Sequence, residues 1–306
     1  MVSFYPGPSR VYSKLPVYLK DAYTQGIMSI NHRSEEFVAI SKKTVTLLKE
    51  KLNIPKSYSI YFVSSATECW EIIAQSLIEK EAVHIYNGAF GEKWFQYTKK
   101  LKPHVKSLTF NRDEGLLPEK LTFNTPEVIC LTQNETSNGT QVKHEIIQSV
   151  RKNNPNSLLA IDATSSMGGI ALNFDAADIW FASVQKCFGL PAGLGLLICS
   201  PKTLEHARSV NDQQHYNSLL FLDDMMKNWQ TSYTPSVVEI YLLMRVIESV
   251  KPIDNIHKTI INRHQKWEAF FDSKSEQLNL LIKNKSVRSQ TVLTVEAKPE
   301  VVEKVK

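Results

Sequence analysis

Two charged residues close two apolar runs of the chain, and their side chains are suited to one kind of chemistry. Asp162 ends the run 158–162, and Lys186 ends the run 179–186. Short continuous apolar runs are typical of strands buried in a parallel sheet. A carboxylate that keeps a pyridine nitrogen protonated and an amine that forms a Schiff base are the two groups that pyridoxal 5'-phosphate (PLP) requires of a protein. The pair therefore predicts a PLP site.

The elements that must position these two residues alternate along the chain. Strand-like segments separated by helix-like or turn segments occur at 58–63, 83–86, 128–131, 158–162, 179–186 and 194–199. This alternation predicts an α/β fold with a mostly parallel central sheet covered by helices on both faces. Ligands of such sheets bind beyond the carboxyl ends of the strands. The residues of interest at those ends are Ser65, Ala66, Thr67, Phe90, Thr136, Asp162 and Lys186.

Several of these residues have an ordinary structural interpretation when each is considered alone. Ser65-Ala66-Thr67 precedes a helix whose N-terminal N–H groups are suited to a phosphate, but Ser65-x-x-Glu68 is also a capping box. These two interpretations are compatible. Phe90 lies at a strand-to-helix turn, where an aromatic face can cover a flat ring, and by itself it is more commonly a core aromatic.

His32 and Arg33 stand just before a predicted helix. Ser34 is suited to cap this helix, which should run to about Leu52. From the residues alone, an exposed loop pair is the more common interpretation of His32-Arg33. Towards the C-terminus, the sequence predicts a long helix over 256–283 and a strand that begins at 292–295.

The composition of the chain and the motifs that it lacks limit the classes of function that we expect. The chain has 306 residues, 42% hydrophobic and 22% charged, with a net charge of +5 scattered along the sequence. We therefore expect small-molecule substrates and no nucleic-acid partner. No apolar run approaches the length of a membrane span, no signal peptide is evident, and the cysteines form no C-x-x-C pair, so we expect a cytoplasmic protein without a membrane partner. No G-x-G-x-x-G or P-loop motif occurs, and the histidines lack metal-binding spacing, so no metal is expected.

The sequence resembles the class V (fold type I) PLP-dependent aminotransferases, most closely the phosphoserine aminotransferase branch, with alanine–glyoxylate aminotransferases next. The resemblance covers nearly the whole chain. The segments that carry it are Pro6-Gly7-Pro8, Asn31-His32-Arg33-Ser34, Ser65-Ala66-Thr67, Asn87-Gly88-Ala89-Phe90-Gly91, Asn134-Glu135-Thr136, Asp162, Gln185-Lys186 and Thr234-Pro235.

The resemblance implies a role for each matching residue. Lys186 is expected to carry PLP and to move the substrate Cα proton, and Asp162 to pair with the pyridine nitrogen. Phe90 is expected to stack on the ring and Thr136 to hydrogen-bond its phenolic oxygen. The expected ligands of the cofactor phosphate are Ser65, Ala66, Thr67 and Gln185, with Tyr233 and Thr234 contributed by a second subunit.

The implied function is transfer of an amino group between an amino acid (phosphoserine-like, or glutamate) and a 2-oxo acid, in serine biosynthesis. His32 and Arg33 are expected to hold the substrate phosphate across the interface of a homodimer. One alternative is an alanine/serine–glyoxylate aminotransferase. Another is a cysteine desulfurase or lyase, although those enzymes usually have His where this chain has Phe90 and Gln185. A non-enzymatic alternative is a truncated PLP-binding scaffold.

The resemblance also implies two domains. We expect a large PLP-binding domain over 14–254, and a smaller α/β domain formed by 255–306 with the N-terminal arm 1–13. In the family, the small domain supplies an arginine that binds the substrate carboxylate further along the chain. Arg288 is not an evident substitute, so we expect the small domain to be truncated.

Overall fold

The computed structural model describes residues 7–274, 278–298 and 300–301. The described α-helices are α1 (Leu15–Thr24), α2 (Glu35–Leu52), α3 (Ala66–Leu77), α4 (Ala89–Leu101), α5 (His144–Asn153), α6 (Pro201–Val210), α7 (Leu219–Met226), α8 (Val237–Ser249) and α9 (Ile253–Ser273). The described strands are β1 (Ser59–Val63), β2 (Ala82–Tyr86), β3 (Lys106–Thr109), β4 (Val128–Thr132), β5 (Asn134–Glu135), β6 (Thr140–Gln141), β7 (Leu158–Asp162), β8 (Ile179–Ser183), β9 (Gly195–Cys199), β10 (Asn279–Leu280) and β11 (Val295–Glu296).

The central sheet has seven strands in the order β1-β9-β8-β7-β4-β2-β3. All neighbours from β8 to β3 are parallel, whereas β9 is antiparallel to both β8 and β1. The predicted mostly parallel α/β fold is therefore confirmed. Strand β3 was not predicted, because its side chains at this edge are largely exposed and show no hydrophobic period.

Alternate side chains of the strands enter two hydrophobic cores, one on each face of the sheet. In β4, Ile129 and Leu131 pack with residues of α2, α5 and α8, whereas Val128 and Cys130 pack with residues of α3, α6 and α7. Successive strand residues point to opposite faces, so burial on both faces requires continuous apolar runs. This explains why the runs in the sequence do not alternate with polar residues.

Ser34 begins α2 as predicted, and its hydroxyl accepts a hydrogen bond from the Phe37 N–H at 3.3 Å. The prediction for α9 was wrong at its C-terminal end, because the helix ends at Ser273. Leu280 and Ile282, which were assigned to the helix, are buried, and β10 pairs with β11. Burial and pairing of this segment outweigh its helical propensity.

The two ends of the described chain both contact the central sheet domain. In the N-terminal arm, the Tyr12 N–H donates to the Gly189 carbonyl at 2.7 Å, whereas Pro6 lies outside the described residues. Near the C-terminus, the Gln141 N–H donates to the Val287 carbonyl and the Ser289 N–H to the Gly139 carbonyl, both at 2.8 Å. The division into domains at 14–254 and 255–306 stays a prediction.

No helix within the described ranges is both long enough and apolar enough to cross a membrane.

His84 of β2 is an unusual buried polar residue. Its ring is 1% exposed and lies edge-on to Trp94, with 5.2 Å between centroids, and 5.7 Å from Phe95. Neither ring nitrogen has a hydrogen-bond partner among the described residues. Burial lowers the pKa of His84 to about 3, so the imidazole is neutral in the fold.

This environment predicts an acid-sensitive stability. The pKa of His84 in the fold is below the ordinary value of about 6.5, so protonation favours the unfolded chain and stability falls as pH drops from about 6.5 towards 3. We expect the free energy of unfolding of the wild type to fall, relative to His84→Phe, by about 1.4 kcal/mol per pH unit in that window. Urea unfolding at a series of pH values measures this difference. His104→Phe, at an exposed position, should keep the wild-type slope, and equal slopes for all three proteins would contradict the prediction.

Candidate active site

The loops that follow β4, β7 and β8 meet at one edge of the sheet. The Gln133 N–H donates to the Asp162 carbonyl at 3.0 Å, and the Ala163 N–H donates to the Phe181 carbonyl at 3.0 Å. These bonds continue the parallel register of the strands into their carboxyl-terminal loops. The structure therefore brings the loops that carry Thr136, Asp162 and Lys186 together.

Asp162 is the buried acid of this edge. The residue is 5% exposed, and its Oδ1 accepts a hydrogen bond from the Thr164 N–H at 2.9 Å. Burial raises the pKa of Asp162 to about 6, the Thr164 hydrogen bonds oppose this rise, and the nearby charge of Glu135 adds to it. A carboxylate in this environment is stabilised by a positively charged partner.

Lys186 lies three residues beyond the end of β8 and is partly buried. Burial lowers the pKa of its ammonium, while the nearby Cys187 and Asp162 oppose the fall. A lowered pKa increases the neutral fraction of the amine, which is the form that attacks a carbonyl carbon.

The N-terminal arm crosses the segment that carries Lys186. The Ser9 N–H donates to the Gln185 carbonyl at 2.8 Å, and the Ser9 hydroxyl donates to the Lys186 carbonyl at 2.5 Å. At Gly7, a Cβ atom would lie 2.1 Å from Lys186 Nζ. A side chain at this position would displace the amine, so the arm forms part of the wall around Lys186.

The N-terminus of α3 lies beside the end of β8. The Ser65 hydroxyl caps the helix by accepting from the Glu68 N–H at 3.2 Å, and the Glu68 carboxylate accepts from the Ser64 N–H at 2.6 Å. The capping role of Ser65 is therefore confirmed, with Glu68 reaching one residue further back than in the usual box. The Ala66 N–H donates to the Ser183 hydroxyl at 2.8 Å, and Thr67 is exposed.

Phe90 is not a core aromatic, since 39% of the residue is exposed at the start of α4. The Glu135 carboxylate holds this start by accepting from the Gly91 N–H at 3.1 Å and the Phe90 N–H at 3.4 Å. Gly88, the N-cap residue, has no side chain to do so. A carboxylate at a helix N-terminus is favoured by the helix dipole, so Glu135 fixes the position of Phe90.

Thr136 and Gln185 have different surroundings at this edge. Thr136 is buried, and its hydroxyl is hydrogen-bonded to the hydroxyl of Ser165. The side-chain oxygen Oε1 of Gln185 is buried and has no hydrogen-bond partner in the described part of the chain. Buried polar atoms normally have a hydrogen-bond partner, so Oε1 of Gln185 is suited to accept a hydrogen bond from a group outside the described residues.

The remaining predicted residues gather around the segment 229–234. Arg33 Nη1 donates to Gln230 Oε1 at 2.7 Å, next to His32. The ring of Tyr233 lies 6.5 Å from that of Tyr216, and burial, followed by the charge of Glu68, raises the pKa of Tyr233. Thr234 is exposed. Tyr216 connects this tyrosine pair to the start of α3, because its hydroxyl donates to Glu68 Oε1 at 3.2 Å.

Arg288 is engaged in structural contacts. Its guanidinium is hydrogen-bonded to Glu268, and it donates to the Ile282 carbonyl through Nε at 3.1 Å and Nη2 at 2.7 Å. The residue is 9% exposed. These contacts agree with the expectation that Arg288 does not replace the carboxylate-binding arginine.

Sequence reasoning missed three residues that support the site: Ser183, Glu135 and Ser165. Each is adjacent or close in sequence to a predicted residue, and each holds a functional segment from another loop. The available signal for these residues in the sequence was a polar residue at, or just beyond, the end of a buried strand. Among the described residues, no group of three or more His, Cys, Asp or Glu side chains is arranged to hold a metal ion.

Comparison with known proteins relates this geometry to a family. A family model described as aminotransferase class-V matches residues 6–304. The solved structure of a phosphoserine aminotransferase from Cytophaga hutchinsonii ATCC 33406 is 30% identical, with a TM-score of 0.94, over 99% of this chain and 86% of that one. An aspartate aminotransferase of Thermus thermophilus has the same fold, with a TM-score of 0.83 and 19% identity over 96% of this chain and 82% of that one.

Curated relatives agree with the structural comparison. A phosphoserine aminotransferase of Rhodococcus opacus (strain B4) is 29% identical over 79% of this chain, and one of Corynebacterium glutamicum (strain R) is 29% identical over 78%. The alignments span 65% and 63% of those relatives, so the chain matches slightly less than two thirds of their length. The family match extends over nearly all of the chain. The chain therefore belongs to the class V aminotransferase family.

Proposed function

We propose that this chain is a PLP-dependent aminotransferase that moves an amino group between a phosphoserine-like amino acid or glutamate and a 2-oxo acid. The observation that carries the proposal is the placement of the buried Asp162 carboxylate and the Lys186 amine at the ends of adjacent parallel strands. The phosphoserine aminotransferases among its relatives support the substrate class.

The residues present fit PLP. The raised pKa of Asp162 marks a carboxylate that lacks solvation, and a protonated pyridine nitrogen is a suitable cationic partner. Phe90 has an exposed aromatic surface at the same sheet edge, and Thr136 provides a hydroxyl for the phenolic oxygen. When bound, PLP supplies an electron-accepting ring that stabilises the charge left at the substrate Cα when its proton is removed.

The side chain of Lys186 performs two tasks in this proposal. As a neutral amine, it would hold the cofactor covalently. Once released, the same nitrogen would take the proton from the substrate Cα and give it to the cofactor carbon that receives the amino group. Burial lowers its pKa, which favours the neutral amine for both tasks. Asp162 keeps the ring nitrogen protonated through its negative charge.

The start of α3 is the proposed phosphate site for the cofactor. Positively polarised N–H groups at a helix N-terminus attract anions, and the residues assigned here are Ser65, Ala66, Thr67 and Gln185. Because the Ala66 N–H donates to Ser183, we expect the Thr67 hydroxyl and backbone, together with Gln185, to contribute more than Ala66. Tyr233 and Thr234 of a second chain complete the site in a homodimer.

His32 and Arg33 are the proposed ligands of the substrate phosphate, contributed across the same interface. The guanidinium of Arg33 is held by Gln230, which keeps it near the segment containing Tyr233. A fixed guanidinium is suited to bidentate phosphate recognition. Burial, followed by the charge of Arg33, lowers the pKa of His32, and a ring N–H of His32 can donate to a phosphate oxygen.

The homodimer, the cytoplasmic location, a role in serine biosynthesis and the two-domain division are parts of the same proposal. All four cysteines are free thiols, which supports a reducing compartment.

Replacing Lys186 tests the cofactor assignment. Wild-type protein mixed with PLP should develop an absorbance band in the visible range, and Lys186→Ala should lack it because Lys186 is the amine assigned to the cofactor. Lys202→Ala is a matched control, since Lys202 is also partly buried and burial also lowers its pKa. A Lys186→Ala spectrum identical to that of the wild type would refute the assignment.

Replacing His32 and Arg33 by Ala tests the substrate class. Loss of charge-assisted hydrogen bonds to a phosphate should raise KM for phosphoserine by about tenfold or more, with about a twofold effect or less for glutamate. Steady-state kinetics with both substrates measures the difference, and Arg263→Ala, at an exposed position on α9, controls for net charge. Equal effects on both substrates would favour the alanine/serine–glyoxylate alternative.

Replacing Gly7 tests whether the arm forms the wall beside the amine. In Gly7→Ala, the added methyl group would occupy the position of Lys186 Nζ, so the amine must move. We expect the visible band to form more slowly and the chain to bind PLP less tightly, as measured by spectral titration. Gly26→Ala adds its Cβ in open space and should keep the wild-type titration, although its positive φ costs some stability. Unchanged PLP binding in Gly7→Ala would contradict the arrangement of the arm.

A further inference from the structure

Three segments of the chain converge on one backbone carbonyl, that of Ser165 in the loop after β7. This carbonyl accepts hydrogen bonds from Thr291 Oγ1 at 2.6 Å and Asn134 Nδ2 at 3.0 Å, and a longer contact from Cys187 Sγ at 3.5 Å. Ser165 is 4% exposed. The loops after β4, β7 and β8 are thus joined to the segment near residue 291 at a single point.

Thr291 uses its hydroxyl in both directions at this point. While donating to the Ser165 carbonyl, Oγ1 accepts from Asn134 Nδ2 at 2.7 Å. A threonine hydroxyl has one donor and two acceptor sites, so it can bridge a carbonyl and an amide group in this way. An apolar side chain of the same shape could make neither bond.

The backbone around Thr291 is itself fixed. The Ser289 hydroxyl accepts from the Thr291 N–H at 3.2 Å and the Val292 N–H at 3.0 Å, and the Ser289 N–H donates to the Gly139 carbonyl at 2.8 Å. The hydroxyl of Thr291 is therefore presented to the two loops by an anchored segment.

The bonds of Thr291 lead to the site through Ser165 and Thr136. The Ser165 hydroxyl is hydrogen-bonded to that of Thr136, the residue assigned to the phenolic oxygen of the cofactor. We propose that Thr291 is a positioning residue, which orients the Ser165 and Asn134 loops so that the Thr136 hydroxyl faces the cofactor. This inference rests on the proposed function and adds the segment around residue 291 to the determinants of cofactor binding.

The test compares Thr291→Val, which keeps the shape and removes both bonds, with Thr291→Ser, which keeps the hydroxyl. The dissociation constant of PLP is measured by titrating the PLP-free chain, and the pH midpoint of the visible band is measured separately. We expect Thr291→Val to weaken PLP binding by about fivefold, since a buried amide and a buried carbonyl each lose a partner. Its pH midpoint should shift in the same direction as that of Thr136→Val, and Thr291→Ser should match the wild type.

The double variant shows whether Thr291 acts through Thr136. If it does, Thr136→Val combined with Thr291→Val should bind PLP no more weakly than Thr136→Val alone, because coupled residues are not additive. Thr294→Val, in the same segment with its hydroxyl against Gly139, is the matched control. Urea unfolding of the PLP-free variants identifies a folding defect, and Thr291→Ala replaces Thr291→Val if the latter does not fold.

The outcomes separate this inference from the proposed function. If Thr291→Val binds PLP with the wild-type affinity and pH midpoint while Thr136→Val binds PLP more weakly, the role of Thr291 is overturned and the proposed function is not. Additive effects in the double variant would also overturn it. Failure of the wild-type chain to bind PLP would overturn the proposed function, and this inference with it.

Discussion

The burial of the Asp162 carboxylate beside the Lys186 segment is the constraint on which the rest of the site depends. Burial disfavours the charged form of both groups, so it raises the pKa of the acid and lowers that of the amine. An apolar sheet core does not tolerate such groups without compensation. A cationic ring beside Asp162, with its reactive carbon at Lys186, would compensate for the burial of both groups. This fit connects the fold to the proposed chemistry.

The segments that carry the proposed site residues are held by partners from other loops. Ser183 holds the start of α3, Glu135 holds the start of α4, and Ser165 holds Thr136. Ser9 holds the backbone of Lys186 from the N-terminal arm. Each loop at the carboxyl edge is thus fixed by at least one hydrogen bond to a distant segment, which is how loops provide the geometry that catalysis requires.

The proposed function assigns the cofactor and the substrate phosphate to different residues of the chain. The residues assigned to the ring and amine lie at the ends of neighbouring parallel strands, whereas Arg33 contacts Gln230 and Tyr233 lies against Tyr216. In the proposal, the residues of the second set come from the other chain of a homodimer.

The sequence by itself determined six of the seven strands of the central sheet and the positions of Asp162 and Lys186. Continuous apolar runs predict strands buried on both faces, and the two residues that end such runs lie at the carboxyl edge. Strand β3 could not be predicted because its side chains are largely exposed and show no hydrophobic period. The end of α9 could not be predicted because it depends on the pairing of β10 with β11. The partners of the site residues were also beyond local patterns. Ala66 and Ser183 are 117 residues apart, and Thr136 and Ser165 are 29 apart, so only strand order and register decide that they meet.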